Sequence, residues 1–166
     1  MVLRGNKEGF FYYTSEHQRD IPIRKTDTYD GATPSANALM AHNLWICGMC
    51  MEKTDWIARA GNMLKQMSET TVGYSYSFGY WALLLQRHLT GMKTIICTGN
   101  EAHEYGKKLQ AKYLPQAYLV ISQKKISEIP ILEKKIFTDK MYIFVCSEQA
   151  CLSPVSSVDE ALRLVD

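Results

Sequence analysis

The stretch from Thr94 to Ile121 limits the possible folds more than any other part of the chain. Thr94-Ile95-Ile96-Cys97-Thr98 is a β-branched run closed by Gly99, and Ala117-Tyr118-Leu119-Val120-Ile121 is a second strand-like run. Between them, residues from about Asn100 to Tyr113 read as a helix stopped by Leu114-Pro115. Strand, helix and strand in that order predict a crossover whose two strands pair in parallel. Further on, Lys140 to Cys146 is the strongest remaining strand, reached through an irregular segment from Ser127 to Lys135. Ser157-Val158-Asp159-Glu160 has the S-x-x-E spacing of a capping box and predicts a short closing helix.

The residues before Lys93 have a different rhythm. Gly9-Phe10-Phe11-Tyr12-Tyr13-Thr14 and Ile21-Pro22-Ile23-Arg24 are short extended pieces, read as a small hairpin or an extended lead-in. Ala36, Met40, Leu44 and Cys47 repeat at helical spacing and predict a helix from about Pro34 to Met51, with Thr33 as N-cap and Pro34 at the first position. Thr54 is placed to cap a second helix to about Ser68, antiparallel to the first across a short turn. A third helix ends near Thr90-Gly91, where glycine can take the left-handed conformation after a helix end. The expected fold class is therefore mixed α and β: a β lead-in with helical hairpins over residues 1–92, then a small α/β lobe with a βαβ unit over residues 93–166.

Bulk properties exclude several function classes. Nineteen Lys and Arg against seventeen Asp and Glu leave a formal charge of +2, which gives no electrostatic case for a nucleic-acid or anionic-membrane partner. The best apolar run is interrupted by Asn43 and Gly48 and closed by Glu52-Lys53, so no segment reaches the roughly 18 to 20 residues needed to cross a bilayer. The first residues carry no apolar stretch of signal-peptide length. Five cysteines, an odd number, fit a reducing compartment, and a cytoplasmic location is expected. No cofactor or metal is implied.

Site-like chemistry concentrates between Arg24 and Asn37. Asp30 precedes Gly31 in a turn and is the candidate general acid or base, with Glu16 taken as its candidate second carboxylate. Arg24 and Lys25 are candidates to hold an anionic group, Tyr29 to stack on a sugar ring, and Ser35 and Asn37 to bind substrate beside a helix start. The competing reading makes Asp30 a turn stabiliser, leaves Arg24 and Lys25 solvated, and gives Ser35 and Asn37 to local backbone groups. His17 and His42 are bases by residue type, and a hydrogen-bonded structural role is favoured for His42.

Cys47-Gly48-Met49-Cys50 has C-x-x-C spacing but falls late in a helix. There the dipole raises thiol pKa values, so buried helix-packing cysteines are expected. Gly99 stands alone, without the glycine pattern of a phosphate loop, and reads as a βα turn.

Taken in order, Gly9 to Thr14, Arg24-Lys25 with Tyr29 to Asn37, and Tyr142 to Cys146 with Cys151 and Pro154 resemble one family. It is that of the YyaL-type, thioredoxin-domain-containing proteins, which includes spermatid-specific thioredoxin-like members. The family's usual Pro-Ser-Gly-Asn or Pro-Ser-Ser-Asn is here Pro34-Ser35-Ala36-Asn37. The resemblance implies an N-terminal thioredoxin-like domain, a helical toroid similar to six-hairpin glycosidases and N-acylglucosamine 2-epimerases, and a small C-terminal α/β segment. This chain would supply the last toroid hairpins and that segment. Its implied partners are the missing domain and hairpins, a carbohydrate ligand bound or processed in the full-length parent, and further copies of itself through helix faces left uncovered. The alternative is a non-catalytic, redox-linked scaffold or binding module accompanying the thioredoxin-like domain. Cys146 and Cys151 are then the candidate redox pair, in a Val-Cys-x4-Cys-x2-Pro pattern. A bridge between them requires Cα atoms within about 7 Å, and the reduced form is the favoured expectation.

Overall fold

The computed structural model describes residues 9–147 and 150–165, which form two compact units, Met1–Gln86 and Arg87–Asp166. The chain is mixed α/β, as its sequence pattern predicts.

In the first unit, α1 (Ala36–Cys50) and α2 (Thr54–Gly73) pack against each other across a three-residue turn. Close approach is possible because residue 48 is glycine: a Cβ there would lie 2.7 Å from Cγ1 of Ile57. The turn is closed by Glu52, held at φ 51°. A short 3-10 turn over Ser75–Ser77 leads into α3 (Gly79–Thr90), whose Trp81 and Leu84 join Phe10, Ala38, Met63 and Leu64 in the core. Burying these side chains is the main favourable term, at roughly 1.5 to 3 kcal/mol for Phe10, Met63, Leu64 and Leu84 each.

Two details differ from the sequence expectation. The N-cap of α1 is Ser35, two residues beyond Thr33, because the Ser35 hydroxyl accepts the Ala38 N–H at 3.1 Å. Helix α2 continues past Ser68 to Gly73, and Thr54 is its first helical residue, with Lys53 at the cap position and no side-chain cap. The aromatic lead-in contributes no strand to the fold. Its tie across the intervening loop is a Tyr13 N–H donated to the Lys25 carbonyl at 2.9 Å.

The second unit is a four-stranded sheet in the order β2-β1-β3-β4, with β1 Lys93–Thr98, β2 Ala117–Ser122, β3 Tyr142–Ser147 and β4 Ala150–Cys151. Strands β1 and β2 are parallel, with Ile95 opposite Leu119, and α4 (Ala102–Gln110) makes the crossover. Strand β3 runs antiparallel to β1 and pairs Ile96 with Phe144. Alternation then sorts the side chains. Ile95, Cys97, Ile143 and Val145 pack with α4 and the closing helix α6 (Val158–Val165). Ile96, Phe144 and Cys146 point the other way and pack with Leu132, which lies on a four-residue helix α5 (Pro130–Glu133) inside the segment expected to be irregular. Ser157 caps α6 as its spacing predicts, accepting the Glu160 N–H at 3.2 Å. At Gly99 the backbone has φ +103°, and a Cβ would collide with the Lys140 carbonyl, so this glycine serves a tight βα turn.

Candidate functional site

Asp30 sits where two helices begin. Its Oδ1 accepts the Ser35 N–H at 2.8 Å, and its Oδ2 accepts the N–H groups of Tyr80 at 2.8 Å and Trp81 at 3.4 Å. Its own N–H donates to the Ser77 carbonyl at 3.2 Å. One carboxylate therefore serves the N-terminal turns of α1 and α3, where free donors and the positive dipole ends favour an anion.

The other residues of the segment are committed in similar ways. Arg24 donates from Nη2 to the Thr14 carbonyl at 2.8 Å and lies 4.1 Å from the centroid of the Tyr12 ring. Tyr29 meets Phe78 edge-on at 5.9 Å, and Lys25 is exposed. The buried Asn37 side chain accepts the Phe11 N–H at 2.7 Å and donates to the carbonyls of Phe11 at 3.1 Å and Asp27 at 2.8 Å. Thr28 gives its carbonyl to the Trp81 indole at 2.8 Å. Glu16 is on the exposed loop, 3.8 Å from the His17 ring.

Beside this clasp lies a cleft of ≈ 280 Å³, lined by residues 30–34 and by Tyr76, Gly79, Tyr80 and Leu83. Of the six residues expected to bind or act on a substrate, Asp30 alone reaches its wall. Tyr80, in the first turn of α3, is better placed. Its hydroxyl is 2.6 Å from Nδ1 of His42, so α1 and α3 are joined at the cleft by a side-chain pair as well as by Asp30.

The second concentration of chemistry is at the β3–β4 hairpin. Cys146 and Cys151 face each other across the ladder and are joined by a disulfide, with Cα atoms 3.9 Å apart. The Leu152 N–H donates to Val145 at 3.0 Å on one side of the pair, so the cysteines occupy a non-hydrogen-bonded position, the closer of the two kinds in an antiparallel ladder. Cys146 is 3% exposed, whereas Cys151 is exposed. Lys135 brings its Nζ to 3.0 Å from the Cys151 sulfur, from a position fixed by its N–H bond to Leu132 and by its approach to the Phe144 ring at 5.2 Å. Lys135 was not singled out from sequence: it lies sixteen residues from Cys151, and only the docking of Leu132 brings them together.

The remaining thiols are differently placed: Cys47 is exposed and Cys50 half-buried, so the expectation of two buried packing cysteines on α1 does not hold for Cys47. Cys97 is fully buried, and burial pushes its pKa up to about 11. Burial, with Cys47 nearby, also raises that of Cys50. Neither has the electropositive, accessible surroundings of a reactive cysteine. Among the described residues no cluster of three or more His, Cys, Asp or Glu could hold a metal ion, and no helix is long and apolar enough to cross a membrane.

Comparison with known proteins finds relatives that are much longer. Over 167 residues the chain is 26% identical to human spermatogenesis-associated protein 20 and 25% identical to the rat protein, covering 95% of this chain but 21% of each relative. An uncharacterized protein of Caenorhabditis elegans is 22% identical over 166 residues, 96% of this chain and 23% of that protein. No protein-family model matches, and no solved structure matches.

Proposed function

We propose that this chain is a redox-linked binding module of a longer protein, and that the Cys146–Cys151 pair cycles between disulfide and dithiol. The observation that carries this reading is an exposed cysteine bridged to a buried one, with an ammonium group 3.0 Å from the sulfur of the exposed residue. A cation there favours thiolate over thiol, and thiolate is the form that exchanges. The natural exchange partner is a dithiol of the thioredoxin class, as the family resemblance implies. The partner's two thiols become a disulfide while Cys146 and Cys151 gain the two electrons and two protons. The chain's span of about a fifth of its relatives supports a module within a larger protein. In this reading the exposed Leu39, Val72, Tyr76 and Leu83 face other parts of that protein or further copies of the chain. Equilibration in glutathione buffers of graded potential, followed by alkylation and mass measurement, tests the proposal. A reversible two-electron transition confined to Cys146 and Cys151 supports it, and a pair that stays in one state across the range refutes it.

A second reading rests on the cleft. Tyr80, paired with His42, and the fully exposed Tyr76 offer hydroxyl and ring surfaces to a carbohydrate, bound or processed within the full-length parent. Sugar-dependent thermal shifts of the full-length protein would support this reading. Their absence across a broad panel of mono- and oligosaccharides would remove it.

A further inference from the structure

Resting on the redox reading, we infer that the two cysteines have unequal roles: Cys151 is the sulfur through which electrons enter and leave, Cys146 is the resolving thiol, and Lys135 is the residue that positions and stabilises the exchanging thiolate. The sheet geometry imposes the division. Cys146 packs with Ile96, Phe144 and Leu132 on one face of the sheet and is 3% exposed, so a nucleophile has no line of approach to its sulfur. Cys151 is exposed on the two-residue edge strand β4. Thiol exchange needs the attacking sulfur in line with the bond it breaks, which an edge strand permits and a packed core does not.

The steps balance as follows. A partner thiolate attacks Cys151 Sγ and forms a mixed disulfide. The Cys151–Cys146 bond breaks, and its electron pair goes to Cys146 Sγ, which takes up a proton. The partner's second thiolate then attacks its own sulfur in the mixed disulfide and closes the partner disulfide. Cys151 leaves as a thiolate beside the Lys135 ammonium. Run in reverse, the Lys135-stabilised Cys151 thiolate is the group that attacks an oxidised partner. Lys135 thus acts on the step in which Cys151 carries charge.

The test uses the full chain and reduced glutathione as the attacking thiol, with acid quenching and peptide mapping of the adduct. The adduct is expected on Cys151 at least about tenfold over Cys146. In a Cys146→Ser variant, alkylation of Cys151 at neutral pH is expected to slow about tenfold on Lys135→Met and to recover with Lys135→Arg, the size of a one-unit pKa change. Equal adducts, a preference for Cys146, no adduct, or an alkylation rate indifferent to Lys135→Met would overturn the inference. Failure of the redox reading looks different: the wild-type pair then fails to cycle in the graded glutathione buffers, whichever sulfur is attacked.

Discussion

Asp30 and Tyr80 are fifty residues apart in sequence, yet the Asp30 carboxylate accepts the Tyr80 N–H at 2.8 Å while the Tyr80 hydroxyl contacts His42. The residue with the strongest catalytic appearance in the sequence is a joint between helix starts. Its bonds to Ser35, Tyr80 and Trp81 use both oxygens. Asp30→Ala is expected to lower unfolding stability by about 2 to 3 kcal/mol, more than one ordinary cap, because two helices lose an acceptor. Asp30→Asn, which keeps one carbonyl oxygen, should lose about half as much. Urea denaturation measures both, and a variant within experimental error of wild type would contradict the clasp.

Asn37 gives a second expectation. Its three hydrogen bonds hold the Phe11 backbone and the Asp27 carbonyl against the first turn of α1. Asn37→Ala leaves buried backbone groups unsatisfied and should cost about 2 to 4 kcal/mol. The lead-in should loosen first, so limited proteolysis between residues 10 and 30 should accelerate well before the helices unfold.

Glu52 offers a change in the opposite direction. At φ 51° it occupies a region that costs a non-glycine residue roughly 1 kcal/mol, and it is exposed in the α1–α2 turn. Glu52→Gly is expected to raise stability by up to about 1 kcal/mol, read as a higher urea midpoint at unchanged slope.

These positions also mark what was legible in the sequence. The parallel crossover was readable because its evidence is local: β-branched runs at Thr94 and Ala117, a turn at Gly99 and a stop at Pro115. Ser157, and Gly91 with its φ of 77° just after α3, were readable for the same reason. The role of Asp30 was not, since its partners at Tyr80 and Trp81 are backbone groups that carry no residue-type signal. Strand β4 has only two residues, too few for alternation to show, and α5, Pro130–Glu133, is a helix of a single turn. The disulfide illustrates the limit most directly. The sequence supplied a spacing and a distance condition and favoured a reduced pair; the register of Cys146 opposite Cys151 meets the condition, and the disulfide corrects the expectation.

Cys97 makes stability depend on alkaline pH. Its folded thiol holds its proton up to about 11, whereas the unfolded thiol releases it near 9. The stability this burial protects is complete below pH 9 and is lost as pH rises from 9 toward 11, because the unfolded state is then favoured by ionising. Cys97→Ala should therefore flatten the fall in stability over that window relative to wild type. Native-state alkylation at neutral pH should leave Cys97 unmodified while the exposed Cys47 reacts.

The most direct test of the account is the state of Cys146 and Cys151 in cells that express the protein, fixed by acid quenching and read by differential isotope alkylation of the two cysteines. A mixture of disulfide and dithiol that moves toward disulfide during an oxidant pulse, and returns afterwards, is the predicted result. A pair locked in one state before, during and after the pulse would contradict the redox-linked role.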